Sequence, residues 1–208
     1  MLRMTIAAGA LALSALGANA ATVAVDGTRV GGNFTIAPGG SGNGVVVAVS
    51  DPANQWNLAP TTPFSEWIWD EALVNSIGGN TFGGPVTFLY TFSLAGYKAA
   101  TASLSGLLSI DDNVIVTLNG TTILSDLDGQ SANWNGVQTY GTANGGLFRA
   151  ALNTLSFTVS NDGRYPAGLR ATVEIEASPI PVPAALPLLG TALAAFGALA
   201  ARRRLRAA

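Results

Sequence analysis

Short segments in the middle of the chain alternate hydrophobic and polar residues. The alternation is clearest over residues 87–94, 155–160 and 172–177, where every second position is hydrophobic and the positions between are mostly polar. Successive side chains of a β-strand point to opposite faces, so this period gives each segment one buried face and one solvent-facing face. The pattern therefore predicts three half-buried strands, with Phe88 and Phe157 among the residues that face the core.

A tight turn is predicted between two further apolar segments. Asn119-Gly120 separates residues 114–118 from residues 121–124, and both turn residues tolerate the positive φ of a type I′ hairpin. Less regular strands are expected at four other places, residues 22–25, 45–49, 64–69 and 101–108. No amphipathic helix of three turns precedes Pro179. Many short strands separated by Gly, Asn and Asp turns predict an all-β, antiparallel, jelly-roll-like β-sandwich over residues 21–178.

Residues 1–20 have the plan of a secretory signal peptide. One basic residue, Arg3, is followed by an apolar run over residues 6–16 and by small residues at Ala18 and Ala20. Small residues at these positions fit signal peptidase, which is expected to cleave after Ala20. The alternative is an uncleaved anchor, but the apolar run is shorter than the roughly 20 residues of a spanning helix.

The C-terminal end predicts one transmembrane helix. Residues 184–201 contain no charged side chain, and a helix of that length spans about 27 Å, close to the thickness of the hydrocarbon core. Four arginines follow in the tail over residues 202–208: Arg202, Arg203, Arg204 and Arg206. The basic tail should stay cytoplasmic. The alternative, a buried core helix, explains neither the terminal position nor the arginines.

A proline-rich motif over residues 179–183 precedes this helix. The motif and the first helix residue include Ile180, Pro181, Val182, Pro183 and Ala184. With the apolar run and the arginines, it resembles the C-terminal sorting signal of Gram-negative PEP-CTERM proteins, in the VPLPA-type variant, with Ile180 and Val182 in place of Val and Leu. The resemblance implies an exosortase-like transpeptidase as partner. It also implies a membrane-anchored intermediate with a periplasmic ectodomain, followed by delivery to the cell surface or beyond.

A second resemblance concerns the central region. Seven fragments follow one another there, at residues 67–69, 90–94, 100–106, 112–113, 118–120, 152–157 and 168–170. In this order they resemble the galactose-binding-like jelly-roll ectodomain of other sorting-signal proteins. Leu107-Leu108 stands where that type usually has a Trp.

Composition removes several classes of function. The chain has no cysteine and no histidine, which excludes a Ser-His-Asp triad, a Cys nucleophile and a zinc site built on His or Cys. Residues 21–178 hold five basic residues and all 12 acidic residues, a net charge of −7. Nucleic-acid binding needs the opposite sign. The glycine-rich segment 38–44 is expected to be a flexible loop, and it lacks the Lys-Ser or Lys-Thr ending of a phosphate-binding loop.

Three groups of carboxylates could carry chemistry. They are Glu66, Asp70 and Glu71; Asp111 and Asp112; and Asp126 and Asp128. A glycosidase needs two carboxylates about 5 to 10 Å apart, but no spacing marks a pair, and solvated loop residues are the alternative. Asp126-Leu127-Asp128-Gly129 resembles a fragment of a calcium loop without the further ligands of an EF-hand. A structural Ca²⁺ is the one cofactor that the sequence suggests.

Aromatic residues could form a platform for a sugar ring. Trp67 and Trp69 would share one face of the expected strand at residues 64–69, where filling the core is the alternative. Four other residues lie in or near a polar loop, Asn133, Trp134, Asn135 and Tyr140. In that loop stacking on a sugar and packing in the core are both open, so the four are candidate glycan contacts.

These observations predict an exported, surface-sorted β-sandwich without catalytic activity, with a structural or adhesive role at the cell envelope or in the extracellular matrix. The alternative is a carbohydrate-binding module for an extracellular polysaccharide, which exposed aromatics around a concave sheet would favour. A third hypothesis is a glycan hydrolase, which would need two close carboxylates in a cleft.

Overall fold

The computed structural model describes residues 19–39, 42–49, 56, 64–74, 85–127, 134–160, 167–181 and 191–197. The described strands are β1 (Ala21–Gly27), β2 (Phe34–Ile36), β3 (Val46–Ala48), β4 (Ile68–Asp70), β5 (Val86–Ser93), β6 (Ser103–Asp111), β7 (Asn113–Leu118), β8 (Thr121–Asp126), β9 (Gln138–Thr142), β10 (Leu152–Ser160) and β11 (Gly168–Ala177). Three short 3₁₀ helices join them, at Glu71–Leu73, Ala99–Thr101 and Gly145–Leu147. The predicted all-β class is confirmed for this part of the chain.

The strands pair in two antiparallel sheets. Sheet 1 has the order β3-β4-β11-β6-β9, and β1 also pairs with β11. Sheet 2 has the order β2-β5-β10-β7-β8. Because strands that are neighbours in a sheet are often distant in sequence, the fold depends on long-range pairing, as in sandwiches with crossover connections.

Hydrophobic residues of the two sheets meet in one core. Phe88 on β5 and Phe157 on β10 are directly paired and fully buried. From sheet 1, Trp69 packs on Phe88 with ring centroids 5.9 Å apart, and Tyr140 meets Phe157 edge-on at 5.4 Å. Each fully buried large hydrophobic side chain contributes about 1.5–3 kcal/mol relative to an exposed one. The packing confirms the antiparallel β-sandwich and the inward face that the alternation predicts.

The hairpin predicted at Asn119-Gly120 connects β7 and β8. Its two φ angles are 53° and 88°, the left-handed values of a type I′ turn. The Asn119 amide also bonds outside the turn, with Nδ2 donating to the Leu147 carbonyl at 2.8 Å and to Asn153 Oδ1 at 2.9 Å. Its Oδ1 accepts the Thr154 N–H at 3.0 Å. The turn therefore sets the hairpin register and ties it to β10.

Three strands differ from the sequence pattern. β2 has three residues, too few to display an alternation, and β9 has a single apolar residue, Tyr140, among polar residues and a glycine. The strand expected over residues 64–69 begins only at Ile68. Just before it, the Glu66 N–H bonds the Thr28 carbonyl at 2.6 Å, past the end of β1, and so leaves the regular ladder of sheet 1.

The folded region continues past residue 178. Pro179 forms an antiparallel bridge with Tyr97, and the Ile180 N–H donates to the Gly96 carbonyl at 2.8 Å. The side chains of Ile180 and Pro181 are exposed. The first residues of the predicted sorting motif thus continue the path of β11 along the sandwich.

The predicted targeting segments fall largely outside the described residues. Ala20 is exposed immediately before β1, whereas Ala18 is not described. The same holds for Val182, Pro183, Ala184 and for the arginines Arg202, Arg203, Arg204 and Arg206. Residues 191–197 are helical, and across the described ranges no helix combines the length and apolar character needed to cross a membrane.

Candidate functional site

A cleft of about 470 Å³ opens at one edge of the sandwich. We call it the edge cleft; it is lined by Ile36, Ala37, Pro38, Gly39, Gly42, Asp70, Pro85, Val86 and Thr87. It lies where β2 and β4 end and β5 begins. A cavity of about 330 Å³ shares most of this lining and extends the cleft along the glycine-rich loop. Both volumes fall in the range of small-molecule sites, about 300–1,000 Å³.

Asp70 provides the charged group of the edge cleft. It is the last residue of β4, and its Oδ1 accepts the N–H groups of Asn43 and Ala72, both at 3.0 Å. Its Oδ2 accepts the Gly44 N–H at 2.8 Å. A carboxylate has about four acceptor positions, so three neutral donors leave one position at Oδ2. Asp70 is 1% exposed, so the loop covers most of the carboxylate and only a small part of it faces the cleft.

Gly42 allows the loop to approach this carboxylate. A Cβ at residue 42 would overlap the carboxylate atoms of Asp70, so any larger residue would displace the loop or the side chain. Two of the three N–H groups that hold Asp70 come from the next residues, Asn43 and Gly44. The described part of the loop predicted to be flexible is therefore fixed against β4.

The other side chains of the lining are mostly small or apolar, although polar atoms make up more than half of the exposed surface of the cleft. Ile36 is half-buried, and Pro38 and Pro85 are exposed at the cleft. The Thr87 hydroxyl is hydrogen-bonded to the Thr158 hydroxyl at 3.0 Å. A molecule in the cleft would meet both polar atoms and apolar side chains, a combination that suits the hydroxyls and C–H groups of a saccharide.

The other predicted carboxylates each bind a different group. Glu71 Oε2 accepts the Asn43 side-chain N–H at 3.0 Å beside the cleft, and Glu66 Oε2 accepts a surface backbone N–H at 3.4 Å. Asp111 Oδ2 accepts the Trp56 indole N–H at 2.8 Å in a buried cluster. Each of these contacts holds a loop, and none of these three residues lines the edge cleft.

No calcium site is seen among the described residues. Asp126 is half-buried at the end of β8 and pairs with Val114, and Asp128 is not described. In the described ranges no three acidic side chains come close enough to hold a metal ion.

Most of the predicted aromatic platform is in the core. Trp67 and Trp69 are 4% and 2% exposed, and Trp67 stacks on Trp56 with centroids 4.3 Å apart. Tyr140 is 6% exposed and donates its hydroxyl to the Thr172 carbonyl at 2.6 Å. Burial raises the pKa of Tyr140 well above its ordinary 10.0. The ring of Tyr140 therefore packs between the sheets, and its role as a glycan contact stays a prediction.

Trp134 remains a candidate contact. It is half-buried, Asn135 beside it is exposed, and Asn133 lies outside the described residues. The carbonyl of Gly136 accepts the Ser109 hydroxyl at 2.6 Å. This bond places the described part of the loop against β6 of sheet 1.

Sequence reasoning names Asp70 but misses the residues around it. Nothing in the sequence brings Gly42, Asn43 and Gly44 to the end of β4, about 27 residues further along the chain. The available signal is a cluster of glycines around one Asn, which is typical of a loop whose backbone N–H groups face a neighbouring anion.

No known family model matches this sequence, and no curated protein is similar to it in sequence. Several solved structures are similar. One is a family 35 carbohydrate-binding module from Paenibacillus barcinonensis, with 14% identity over 71% of this chain and 97% of that chain, and a TM-score of 0.36. Another is a family 35 carbohydrate-binding module from Clostridium thermocellum, with 11% identity over 72% and 97% of the two chains and a TM-score of 0.39.

An exo-β-1,3-galactanase from Phanerochaete chrysosporium is also similar. The identity is 14%, the TM-score is 0.34, and the match covers 77% of this chain but 30% of that enzyme. Identities and TM-scores this low establish neither a family nor a function, so a function has to be argued from the chain's own residues.

Proposed function

We propose that this protein is an exported, surface-sorted β-sandwich that binds an uncharged extracellular polysaccharide in the edge cleft. The observation that supports the proposal is the Asp70 carboxylate, which is buried, is held by three backbone amides and keeps one acceptor position at Oδ2. A saccharide hydroxyl is a donor that suits this position, and the apolar residues of the cleft suit the C–H groups of the ring.

Charge supports an uncharged ligand. No lysine or arginine is among the described residues that line the cleft, and residues 21–178 carry a net charge of −7. A uronate would bring a second carboxylate close to Asp70 without a cation between them. Such a contact between like charges costs several kcal/mol where water is excluded.

Binding explains the cleft better than the other two hypotheses. A purely structural or adhesive sandwich explains the three loop contacts of Asp70 but gives no role to the open cleft beside them. A hydrolase that uses paired carboxylates needs a second one, and Asp70 is the single acidic residue among the described residues that line the cleft.

Affinity electrophoresis tests the binding site. The full chain, in a detergent without a sugar headgroup, is run through gels containing neutral galactan, dextran or polygalacturonate. We expect retardation by a neutral polymer and none by polygalacturonate. Asp70→Asn should weaken binding about tenfold, because the charge-assisted acceptor is lost. Glu176→Gln, the same loss of a carboxylate charge at an exposed residue of β11 outside the cleft lining, is the matched control and should bind as the parent.

A second pair of variants covers the structural role of Asp70. Pro85→Ala removes exposed apolar surface from the cleft and leaves the loop contacts in place, whereas Pro181→Ala removes an exposed proline elsewhere. Binding should fall for Pro85→Ala and not for Pro181→Ala. Unretarded parent protein in both neutral gels, or unchanged binding by both cleft variants, would overturn the proposal.

Export and sorting rest on the signal peptide over residues 1–20 and on the motif that begins at Ile180. Exposure of Ile180 and Pro181 supports access by an exosortase-like transpeptidase after signal peptidase has acted. Replacing all four terminal arginines by Gln should impair retention and sorting without unfolding the sandwich, because they lie beyond the predicted spanning helix. Fractionation of cells that shows unchanged surface delivery would contradict this part of the proposal.

A further inference from the structure

The pairing between β6 and β11 is interrupted in the middle of sheet 1. The register runs regularly to Ala171 opposite Leu108 and resumes at Glu174 opposite Ser105, with no pairs at residues 172–173. Interior strands of a sheet normally keep a continuous ladder, because each lost backbone bond has to be replaced. The interruption is therefore a specific feature of this sheet.

Side chains take over the missing bonds. The Leu107 N–H donates to Thr172 Oγ1 at 3.0 Å, and the Thr172 carbonyl accepts the Tyr140 hydroxyl at 2.6 Å. Gly106 provides the space, since a Cβ there would overlap the Thr172 carbonyl and the Tyr140 ring. Four residues from three strands thus hold the gap open without leaving these backbone groups unpaired.

A cavity of about 310 Å³ lies at this interruption, and we call it the gap site. Its rim includes the exposed residues Ser105, Thr139 and Glu174. Its floor includes Thr172, which is 4% exposed. The Thr172 hydroxyl accepts one N–H, and among the described residues its own proton has no acceptor. The gap site therefore offers a buried donor beneath exposed hydroxyls and one carboxylate.

The rim residues share the outer face of sheet 1. Ser105 pairs with Glu174, and Leu107 pairs with Thr139, so these side chains point away from the core that Leu108 enters. The next strand adds apolar surface on the same face, because Val25 pairs with Glu174 and is 51% exposed.

The loop that carries Trp134 reaches this face too. Ser109, which binds the Gly136 carbonyl, lies two residues beyond Leu107 on β6 and has the same orientation. The outer face of sheet 1 thus presents hydroxyls, the carboxylates of Glu174 and Glu176, the aliphatic residues Val25 and Leu107, and a loop with a half-buried Trp. This mixture is suited to polyhydroxylated rings with apolar C–H faces.

We propose that the gap site is a second saccharide-binding site, which takes an uncharged hexose unit of the polysaccharide bound at the edge cleft. This inference rests on the proposed function and extends it. Glu174 and the hydroxyls accept and donate hydrogen bonds to ring hydroxyls, and Leu107 and Val25 contact the ring. No lysine or arginine is among the residues that line the gap site, so a uronate is disfavoured here as well.

Two sites on one sandwich change how polymer length affects binding. A long chain that reaches both sites binds the second one intramolecularly, at an effective concentration set by the connecting sugars. A trisaccharide is too short for that effect if it fills one site. The polymer contains many repeats, which alone raises its apparent affinity. Its affinity should nevertheless exceed that of a trisaccharide by more than this statistical factor, because both sites are occupied at once.

Titration calorimetry of the full chain with β-1,4-galactotriose and isomaltotriose, in a detergent without a sugar headgroup, counts the sites. We expect two sites per parent chain, one in Glu174→Gln and one in Asp70→Asn. Glu176→Gln is the matched control, since Glu176 follows on the same exposed face of β11 outside the gap site, and it should keep two. The Glu174→Gln variant should also lose about tenfold in affinity for the polymer.

A second variant removes hydroxyls at exposed positions, where the fold is least affected. Ser105→Ala combined with Thr139→Ala should also leave one site with an unchanged unfolding temperature.

A single site in the parent, removed by Asp70→Asn and untouched by Glu174→Gln, would overturn the gap site and leave the edge cleft standing. A single site removed only by Glu174→Gln would support the gap site and overturn the edge cleft. Absence of binding to either trisaccharide and to the polymers would overturn both.

Discussion

Asn119 should stabilise the sandwich by far more than a turn residue usually does. Its side chain makes three hydrogen bonds, with the Leu147 carbonyl, Asn153 Oδ1 and the Thr154 N–H, at 2.8 to 3.0 Å. Asn153 is fully buried and also bonds the backbone of Arg149 and Ala151. Removal of the Asn119 amide therefore leaves polar groups of Leu147, Asn153 and Thr154 without this hydrogen-bond partner and with little access to water.

The magnitude follows from these bonds and from the backbone. Three hydrogen bonds at about 0.5–1.5 kcal/mol each give a loss of about 1.5–4.5 kcal/mol for Asn119→Gly. Asn119→Ala loses the same bonds and also places a Cβ at a φ of 53°, a conformation that costs an L-residue about 1–2 kcal/mol. The glycine variant has in turn a more flexible unfolded state than the alanine variant, which lowers its stability by about 0.4–1 kcal/mol. The alanine variant should therefore be the less stable by about 0.5–1 kcal/mol.

Urea unfolding followed by tryptophan fluorescence measures both differences. We expect the midpoint to fall in the order parent, Asn119→Gly, Asn119→Ala, with an unchanged dependence of the free energy on urea. A glycine variant within about 0.5 kcal/mol of the parent would refute the side-chain network. An alanine variant more stable than the glycine variant would refute the left-handed turn.

Three further predictions concern single side chains. Gly120→Val should cost about 1–3 kcal/mol through strain alone, since nothing lies within 4 Å of a Cβ at its φ of 88°, and an unchanged urea midpoint would mean that the turn is misassigned. Burial first, and then Tyr90, raises the pKa of Tyr140, so the folded state binds more protons than the unfolded state above pH 10.0 and stability should fall as pH rises beyond it. Tyr140→Phe should be about 1 kcal/mol less stable at neutral pH and should show a shallower alkaline loss in thermal unfolding at several pH values, and an equally steep loss would contradict this cause. Trp134→Ala should weaken polysaccharide binding in the electrophoresis assay and keep the unfolding temperature, whereas a loss of about 3 kcal/mol or more in stability with unchanged binding would assign Trp134 to packing.

Local physical chemistry made much of the sandwich predictable. The alternation over residues 155–160 predicts one buried face and one less buried face, and β10 alternates buried and half-buried residues there. Asn119 and Gly120 both adopt a positive φ, so the turn follows from these two residues and needs no contact with a distant part of the chain. β2 has three residues and takes its position from pairing with β5, so its own sequence carries too little information to predict it.

Tyr140 shows where local patterns fail. Its neighbours in sequence are polar and include a glycine, which is typical of a surface loop. Its burial is decided instead by Gly106, which leaves room for the ring, and by the Thr172 carbonyl, which accepts its hydroxyl. Both partners lie more than 30 residues away in the chain, so an aromatic residue in a polar segment can be a core residue.

The candidate sites were hard to predict for the same reason, because both depend on polar residues that tertiary contacts bury. Thr172 has the solvent-facing phase of the pattern over residues 172–177, and Glu174 and Glu176 are exposed as that phase predicts. Thr172 is nevertheless buried, because the interrupted ladder turns its hydroxyl to the Leu107 N–H. Asp70 is buried because backbone amides of a distant loop surround it. A buried polar residue thus marks each cavity, and its burial becomes visible only once the sheets and loops are in place.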